Sequence, residues 1–337
     1  MTTAFTAAGE LQPVGEWTLP LDASFRETRI GGLSGITYDP KCDVYYLVSD
    51  TKDRTGSKIF LAQIPFTEAG IQSVNFTGML TLKDSDKSPL PPLDTEGIAM
   101  EARGRLWVSF EGNAKIPSGI ACFGTKSGNR LFDLPIPTEF TSGIQSNHGF
   151  ESLSTAGPQK RWLFTTTESP LAPDAKPDGD RYQGLLRLLR YDVKTQPISL
   201  PEQRAYAMET DAIYTSVPDV LALDSRRVLV LERQLVTNVI PRTRRIRIYE
   251  VDFDQANATE VASRKSLSSG RIVPLKKTLR FDSDTVGYSM LDNIEGLCLG
   301  PALGKDLSIV LVSDDNFSKT QRTQFLLLRM KAASGTN

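Results

Sequence analysis

Histidine and cysteine are nearly missing from this chain. Its 337 residues include one histidine, His148, and three cysteines, Cys42, Cys122 and Cys298. A single histidine excludes multi-histidine zinc centres and leaves little room for histidine relays. The cysteines are far apart and form neither a metal-ligand spacing nor a disulfide framework. Cys122 and Cys298 lie in apolar runs and read as buried thiols. An excess of one charge is missing too. Lys and Arg number 39 against 40 Asp and Glu, which gives no support to a polyanion-wrapping surface or an acidic tail. No segment approaches the roughly 18 apolar residues that span a bilayer. The start, MTTAFTAAGELQPVGEW, has no basic residue before Arg26 and no apolar h-region, so it does not read as a signal peptide. A trimmed signal would leave the same start, and the compartment stays open. GxSxG, P-loop and GxGxxG motifs are absent, as is any convincing long helical period.

What is present is a repeat. Five segments share one plan: an acid, amide or serine precedes a short apolar strand, a turn follows, and a second apolar strand ends on an acid. They are LSGITYDPKCDVYYLVSD (33–50), DTEGIAMEARGRLWVSFEG (94–112), HGFESLSTAGPQKRWLFTTTE (148–168), VPDVLALDSRRVLVLERQ (217–234) and IEGLCLGPALGKDLSIVLVSDDN (294–316). The first-strand markers are Ser34, Glu96, Glu151, Asp219 and Glu295. The second-strand markers are Asp50, Glu111, Glu168, Glu232 and Asp314. A third strand follows each pair (KIFLAQI, GIACFG, LLRLLRYDV, RRIRIYEV, QFLLLRM), and a fourth follows in all units but the last. The N-terminus carries a spare strand, GEWTLPL (15–21). Regular four-stranded units of this kind predict an all-β, single-domain β-propeller over 1–337, closed by the N-terminal strand, with flexible termini at 1–12 and 332–337. The count is five blades, or six if the insertion near 252–275 hides strands. Segments 65–72 and 254–264 read as loop insertions. Trp17, Trp107 and Trp162 sit in strand runs and read as core.

In an antiparallel pair the start of one strand lies beside the end of the next. If the marked strands are innermost, up to nine carboxylates and Ser34 meet at one mouth of the central channel. Crowded carboxylates repel and their pKa values rise, so cations, arginines or backbone N–H groups must satisfy them. Oxygen ligands without His or Cys favour Ca²⁺, with Mg²⁺ as the other option. Asn113, Asn147, Asn293 and Asn316 lie beside the acids as further carbonyl donors. Asp and Asn are also ordinary turn residues at strand ends, but Glu is a poor one, and it recurs at six of the ten marked places. His148 more often packs or hydrogen-bonds at a strand end than catalyses, and Ser34 has no base nearby in sequence. RTRRIRIYE (242–250) reads as a strand with one solvated face. Arg233 or Arg244, with Lys52 and Arg54 after Asp50, are the cations placed to meet an anionic substrate group.

With these pieces in order, the chain resembles the phytase-like family, named for an esterase-like activity of phytase. The matching pieces run from GLSGITYD, YYLVSD, DTEGIAME, GRLWVSFEG and NHGFESLS to TTTESPL, VLVLERQ, IRIYEVDF, NIEGLCLGP and LVSDDNF. The resemblance implies a β-propeller that is often exported, to periplasm or medium, and hydrolysis of phosphate or other esters by a calcium-bearing mouth. An RHG signature is absent, since residues 147–149 read NHG, and so is a CxxxxxR loop. Under this expectation Asp50, Glu96, Glu151, Glu295 and Asp314 hold the cation. Glu111, Glu168, Glu232 or His148 supplies acid–base chemistry, and Arg54 and Arg233 meet a small anionic or ester substrate. No nucleic acid and no membrane span are expected, and the chain is taken as a monomer. Two other classes stay open: a non-enzymatic propeller that binds a partner around a structural cation, and a lactonase-type calcium propeller.

Overall fold

The chain folds as a five-bladed β-propeller. The structure is a computed structural model that describes residues 10–50, 56–88, 90, 93–112, 116–176, 183–236, 244–287 and 291–331. The order begins with β1 (Leu11–Thr18) and a hairpin of β2 (Ser24–Phe25) and β3 (Thr28–Arg29). Blade 1 is β4 (Leu33–Asp39), β5 (Val44–Ser49), β6 (Lys58–Gln63) and β9 (Asn75–Thr81). The small hairpin β7 (Phe66–Thr67) and β8 (Gly70–Ile71) is inserted before its last strand. Blade 2 is β10 (Thr95–Glu101), β11 (Arg105–Phe110), β12 (Gly119–Gly124) and β13 (Arg130–Asp133). Blade 3 is β14 (Ser154–Ala156), β15 (Trp162–Thr165), β16 (Leu185–Asp192) and β17 (Glu202–Ala207). Blade 4 is β18 (Tyr214–Ala222), β19 (Arg227–Leu235), β20 (Arg244–Asp252) and β21 (Lys277–Asp282). Blade 5 is β22 (Asn293–Leu299), β23 (Leu307–Asp314) and β24 (Gln324–Met330), and β1 joins it as the outermost strand. Thr18 pairs with Gln324 and Leu11 with Met330, so the N-terminal strand closes the ring as expected.

No sixth blade hides near 252–275. Among the described residues that stretch holds only the isolated bridge of Glu260 to Arg204. Segment 65–72, read as a plain loop, carries the β7–β8 hairpin, and one short α-helix, α1 (Thr138–Gly143), joins blades 2 and 3. Six residues give no periodicity that a sequence pattern can register.

Among the described residues the core comprises five apolar seams, one between each pair of neighbouring blades, and a small satellite of Ala205, Val261 and Leu267. Side chains alternate along a strand, so consecutive residues serve opposite seams. In β5, Leu47 packs toward blade 5 with Phe325 and Val312, while Val48 packs toward blade 2 with Ile98 and Val108. In β23, Leu311 packs against Leu231 of blade 4, and Val310 and Val312 face blade 1. Both faces being covered, the second strand of each blade reads as a near-continuous apolar run. Trp107 is buried in the seam between blades 2 and 3, whereas Trp17 and Trp162 are half-buried.

The five innermost strands touch one another near the axis. A Cβ on Gly97 would lie 2.5 Å from Glu151 O and 2.9 Å from Leu153 N. A Cβ on Gly35 would lie 2.4 Å from Glu96 O, and one on Gly296 3.0 Å from Gly35 Cα. Blade 4 has Asp219 at this level instead. Its buried carboxylate accepts hydrogen bonds from Val220 N (2.8 Å) and from Leu297 N of blade 5 (2.9 Å). Gly97→Ala forces backbone apart where no flexible side chain can give. It is expected to cost about 1–3 kcal/mol in urea unfolding. Gly124→Ala, whose Cβ would meet only Ser127 Oγ, is expected to change little.

Candidate functional site at the channel mouth

Each innermost strand is bulged beside its marker. Register shifts fall between Leu33 and Gly35, between Thr95 and Ile98, between Ser216 and Asp219, and between Ile294 and Gly296. In blade 3 the pairing lapses between the bridge Phe150–Thr167 and the pair Ser154–Phe164. A bulge re-aims the extra side chain out of the ladder. Ser34, Glu96, Glu151 and Glu295 occupy these irregular places, beside the ends of the second strands where Asp50, Glu111, Glu168 and Asp314 lie.

Blade 4 departs from the expected alignment by one residue. Leu229 and Leu231 face blade 5, as Val310 and Val312 face blade 1. Arg233 is therefore the counterpart of Asp50, Glu111, Glu168 and Asp314, and Pro218 is the counterpart of Glu96, Glu151 and Glu295. Asp219 takes the glycine level described above. Glu232 faces the other way, into the seam with blade 3. There it is fully buried, accepting from Tyr206 Oη (2.6 Å), Lys277 Nζ (2.8 Å) and Glu209 N (3.1 Å). Nine converging carboxylates were expected; the structure brings seven of those together, and blade 4 adds a guanidinium.

That guanidinium divides the ring into two sides. Arg233 bridges Glu168 of blade 3 (2.8 Å) and Glu295 of blade 5, and also donates to Asn293 Oδ1 (2.9 Å). Asn293 Nδ2 in turn donates to Glu295 (2.7 Å). Glu168 also meets His148 Nδ1 at 2.5 Å. Burial pushes the Glu168 carboxyl up, but the His148 hydrogen bond and the Arg233 charge outweigh it, and the group lies below its ordinary range. The other acids have less help. Burial pushes Glu96 well up, and Glu295, Glu111, Asp94 and Asp50 add to it by repulsion. Glu151 is likewise pushed well up by burial, then by Glu96, Glu168 and Glu111. Asp314 rises through burial, Glu295 and Asp50. Burial raises Glu295 despite Arg233, and raises Glu111 despite hydrogen bonds from Glu151 and from Gly149 N (2.9 Å).

One acid escaped the repeat pattern. Asp94 precedes Thr95 as Asn293 precedes Ile294, a correspondence visible in DTEG beside NIEG. Oxygens of Asp94, Glu96 and Glu111 lie within 4.8 Å of one another. Three carboxylates with no nitrogen or sulfur donor, two of which, Glu96 and Glu111, are raised by burial, fit a hard cation such as Ca²⁺ or Mg²⁺. Asp50 stands against Gly32, where φ is +59° and a Cβ would sit 1.9 Å from Asp50 Oδ1. Asp315 receives Gly32 N (2.9 Å) and pairs with Arg29 (2.8 Å), which ties the entry loop of blade 1 to the exit loop of blade 5. Ser34 is buried against Gly32 O, and Arg244 reaches Asp292 at 3.4 Å. Lys52, Arg54 and Asn113 lie outside the described residues.

The raised acids fix a sign. Glu96, Glu151 and Asp314 hold protons more tightly folded than unfolded, so they stabilise the fold at low pH and lose that contribution as pH rises through their folded pKa values. Glu168 acts in the opposite sense. In chelator, thermal unfolding is expected at a higher temperature near pH 5 than near pH 8. Equal or reversed melting temperatures would show that the acids are already neutralised.

The phytase-like family model, described as esterase-like activity of phytase, matches residues 28–317. No curated protein matches the chain. Among solved structures, a thermostable family-43 glycoside hydrolase has a TM-score of 0.48 at 10% identity, covering 91% of this chain and 95% of that one. A gluconolactonase from Xanthomonas campestris has a TM-score of 0.34 at 11% identity, covering 97% and 98%. Kuenenia stuttgartiensis hydrazine synthase has a TM-score of 0.38 at 10% identity, covering 91% of this chain and 66% of that chain. The family match spans both entry and exit loops of the acid mouth, and the chain belongs to the phytase-like family.

Proposed function

We propose that this protein is a cation-dependent hydrolase of phosphate or other esters, acting at the acid mouth. The observation that carries the reading is the cluster Asp94, Glu96 and Glu111, open to a hard cation on the side of the ring that Arg233 does not reach. Family membership supports ester hydrolysis as the reaction class. When bound, Ca²⁺ or Mg²⁺ would polarise the substrate oxygen and make a bound water more acidic.

The residues of the chain divide the remaining work. Asp94, Glu96 and Glu111 would hold the cation, with Glu151, Asp50 and Asp314 as neighbouring acceptors. His148, oriented through Nδ1 by Glu168, is the group suited to take a proton from water. Arg233 fixes Glu168 in turn, which gives a chain of orientation from blade 4 to the base. Arg233 spends its donors on Glu168, Glu295 and Asn293, so its part is to position groups and set charge. A binding-module reading rests on one observation: Arg233 already pairs with two of the ring acids, Glu168 and Glu295, without an ion.

Added Ca²⁺ should raise the melting temperature of chelator-treated protein, by the equivalent of about 2.7 kcal/mol at a hundredfold excess over Kd. Glu96→Gln and Glu111→Gln should abolish that shift while the protein stays folded. Persistence of the shift in both variants would move the cation elsewhere. With a chromogenic phosphate or carboxylate ester, His148→Gln should reduce kcat by about 10²–10⁴ with the Ca²⁺ shift intact. Unchanged kcat would remove His148 from the reaction, and no turnover by the cation-loaded wild type would favour the binding module.

A further inference from the structure

The channel has a second end. Behind the level where Gly35, Gly97, Asp219 and Gly296 bring the five inner strands together, a cavity of about 40 Å³ opens on the axis, away from the acid mouth. That is room for more than one water, which needs roughly 10–15 Å³. All five inner strands line it, through Thr37, Ile98, Thr155, Leu221 and Cys298, and Lys160 comes in from the turn between β14 and β15. The turn is sharply bent. Gly157, Gln159 and Lys160 all have positive φ (79°, 55° and 54°), a conformation that non-glycine residues rarely adopt, and two of them adopt it in succession. The Lys160 side chain is half-buried and makes no hydrogen bond or ion pair among the described residues.

A lysine amine without an ion-pair partner, held against the largely apolar wall of a small pocket, is the arrangement that makes lysine a nucleophile. We propose that Lys160 is the reactive amine of a rear axial site that takes small carbonyl compounds, aldehydes above all, as covalent ligands. The amine lone pair attacks the carbonyl carbon, and the C–N bond forms as the C=O π bond opens. The carbinolamine then loses its oxygen as water, which takes both nitrogen protons, and an imine remains. The walls suit such a ligand. Thr155 donates to Met100 O (2.7 Å) and Thr37 accepts from Met100 N (3.2 Å), which leaves an acceptor lone pair on the first and a hydroxyl proton on the second. The size of the cavity limits the ligand to a few heavy atoms. Burial also pushes the Lys160 ammonium below the ordinary lysine range, against the opposing pull of Cys298 and Asp39. This site is independent of the acid mouth and of the reaction proposed there.

The experiment is limited labelling of the full-length protein with acetaldehyde and sodium cyanoborohydride at pH 7, with each lysine quantified by peptide mass spectrometry. Cyanoborohydride supplies the hydride that reduces the imine to a stable secondary amine. Lys160 is expected to be ethylated severalfold faster than the exposed Lys126 and Lys276 in folded protein, and no faster than they are in concentrated urea. Equal rates in the folded protein would overturn the proposal. So would a lead that survives in urea, since it would belong to the local sequence and not to the cavity.

Discussion

Five backbone strands pressed together along one axis set the terms for everything else in this molecule. At the level of tightest approach there is no space for side chains on three of the blades, and glycine is required. One blade puts a carboxylate there and holds it by backbone N–H groups of its own strand and of the next blade. Just outside that level the chain must bulge to part the strands, and the bulges aim side chains inward. The mouth is therefore a place where residues are concentrated by geometry before their chemistry is considered. That those residues are acids is a choice of the sequence, and an expensive one in a region almost free of solvent.

The expense is distributed unevenly. Arg233 sits at a place where the other four blades carry an acid, and among the described acids it pairs with Glu168 and Glu295. Glu96, Glu111 and Glu151 are left to share protons among themselves or to accept a cation. A propeller with perfect fivefold repetition would have a uniform ring without a preferred locus. The break in the repeat at blade 4 gives the ring a neutralised side and a hungry side, and the only histidine stands on the boundary between them, against Glu168.

Strand content and blade order were legible because each blade's second strand is buried on both faces and each turn carries Gly, Pro, Asp or Asn. The closing role of the N-terminal strand followed from counting strands. Blade 4 was misaligned for a physical reason. Matching acids to acids selects Glu232, whereas matching the apolar alternation of Leu229 and Leu231 to Val310 and Val312 selects Arg233. Charge is a poor guide to register because it can be satisfied on either face, as Glu232 is by Tyr206 and Lys277. The contact between His148 and Glu168 was not legible, since it depends on the path of a connection that has no period. Asp94 was legible in principle, one place before a residue whose counterpart, Ile294, follows Asn293.

The closure of blade 5 by β1 has a consequence for how the molecule comes into being. The ribosome delivers the partner of Leu11–Thr18 only after the other four blades, since β24 spans Gln324–Met330. Until then β1 has no place to pair, and blades 1 to 4 form an open arc with an unsealed seam at each end. The acids contributed by blade 5 reach the mouth in that same stage. A nascent chain therefore holds the blade 2 acids before it holds Glu295 and Asp314, and the blade 5 side of the mouth is completed only with β24.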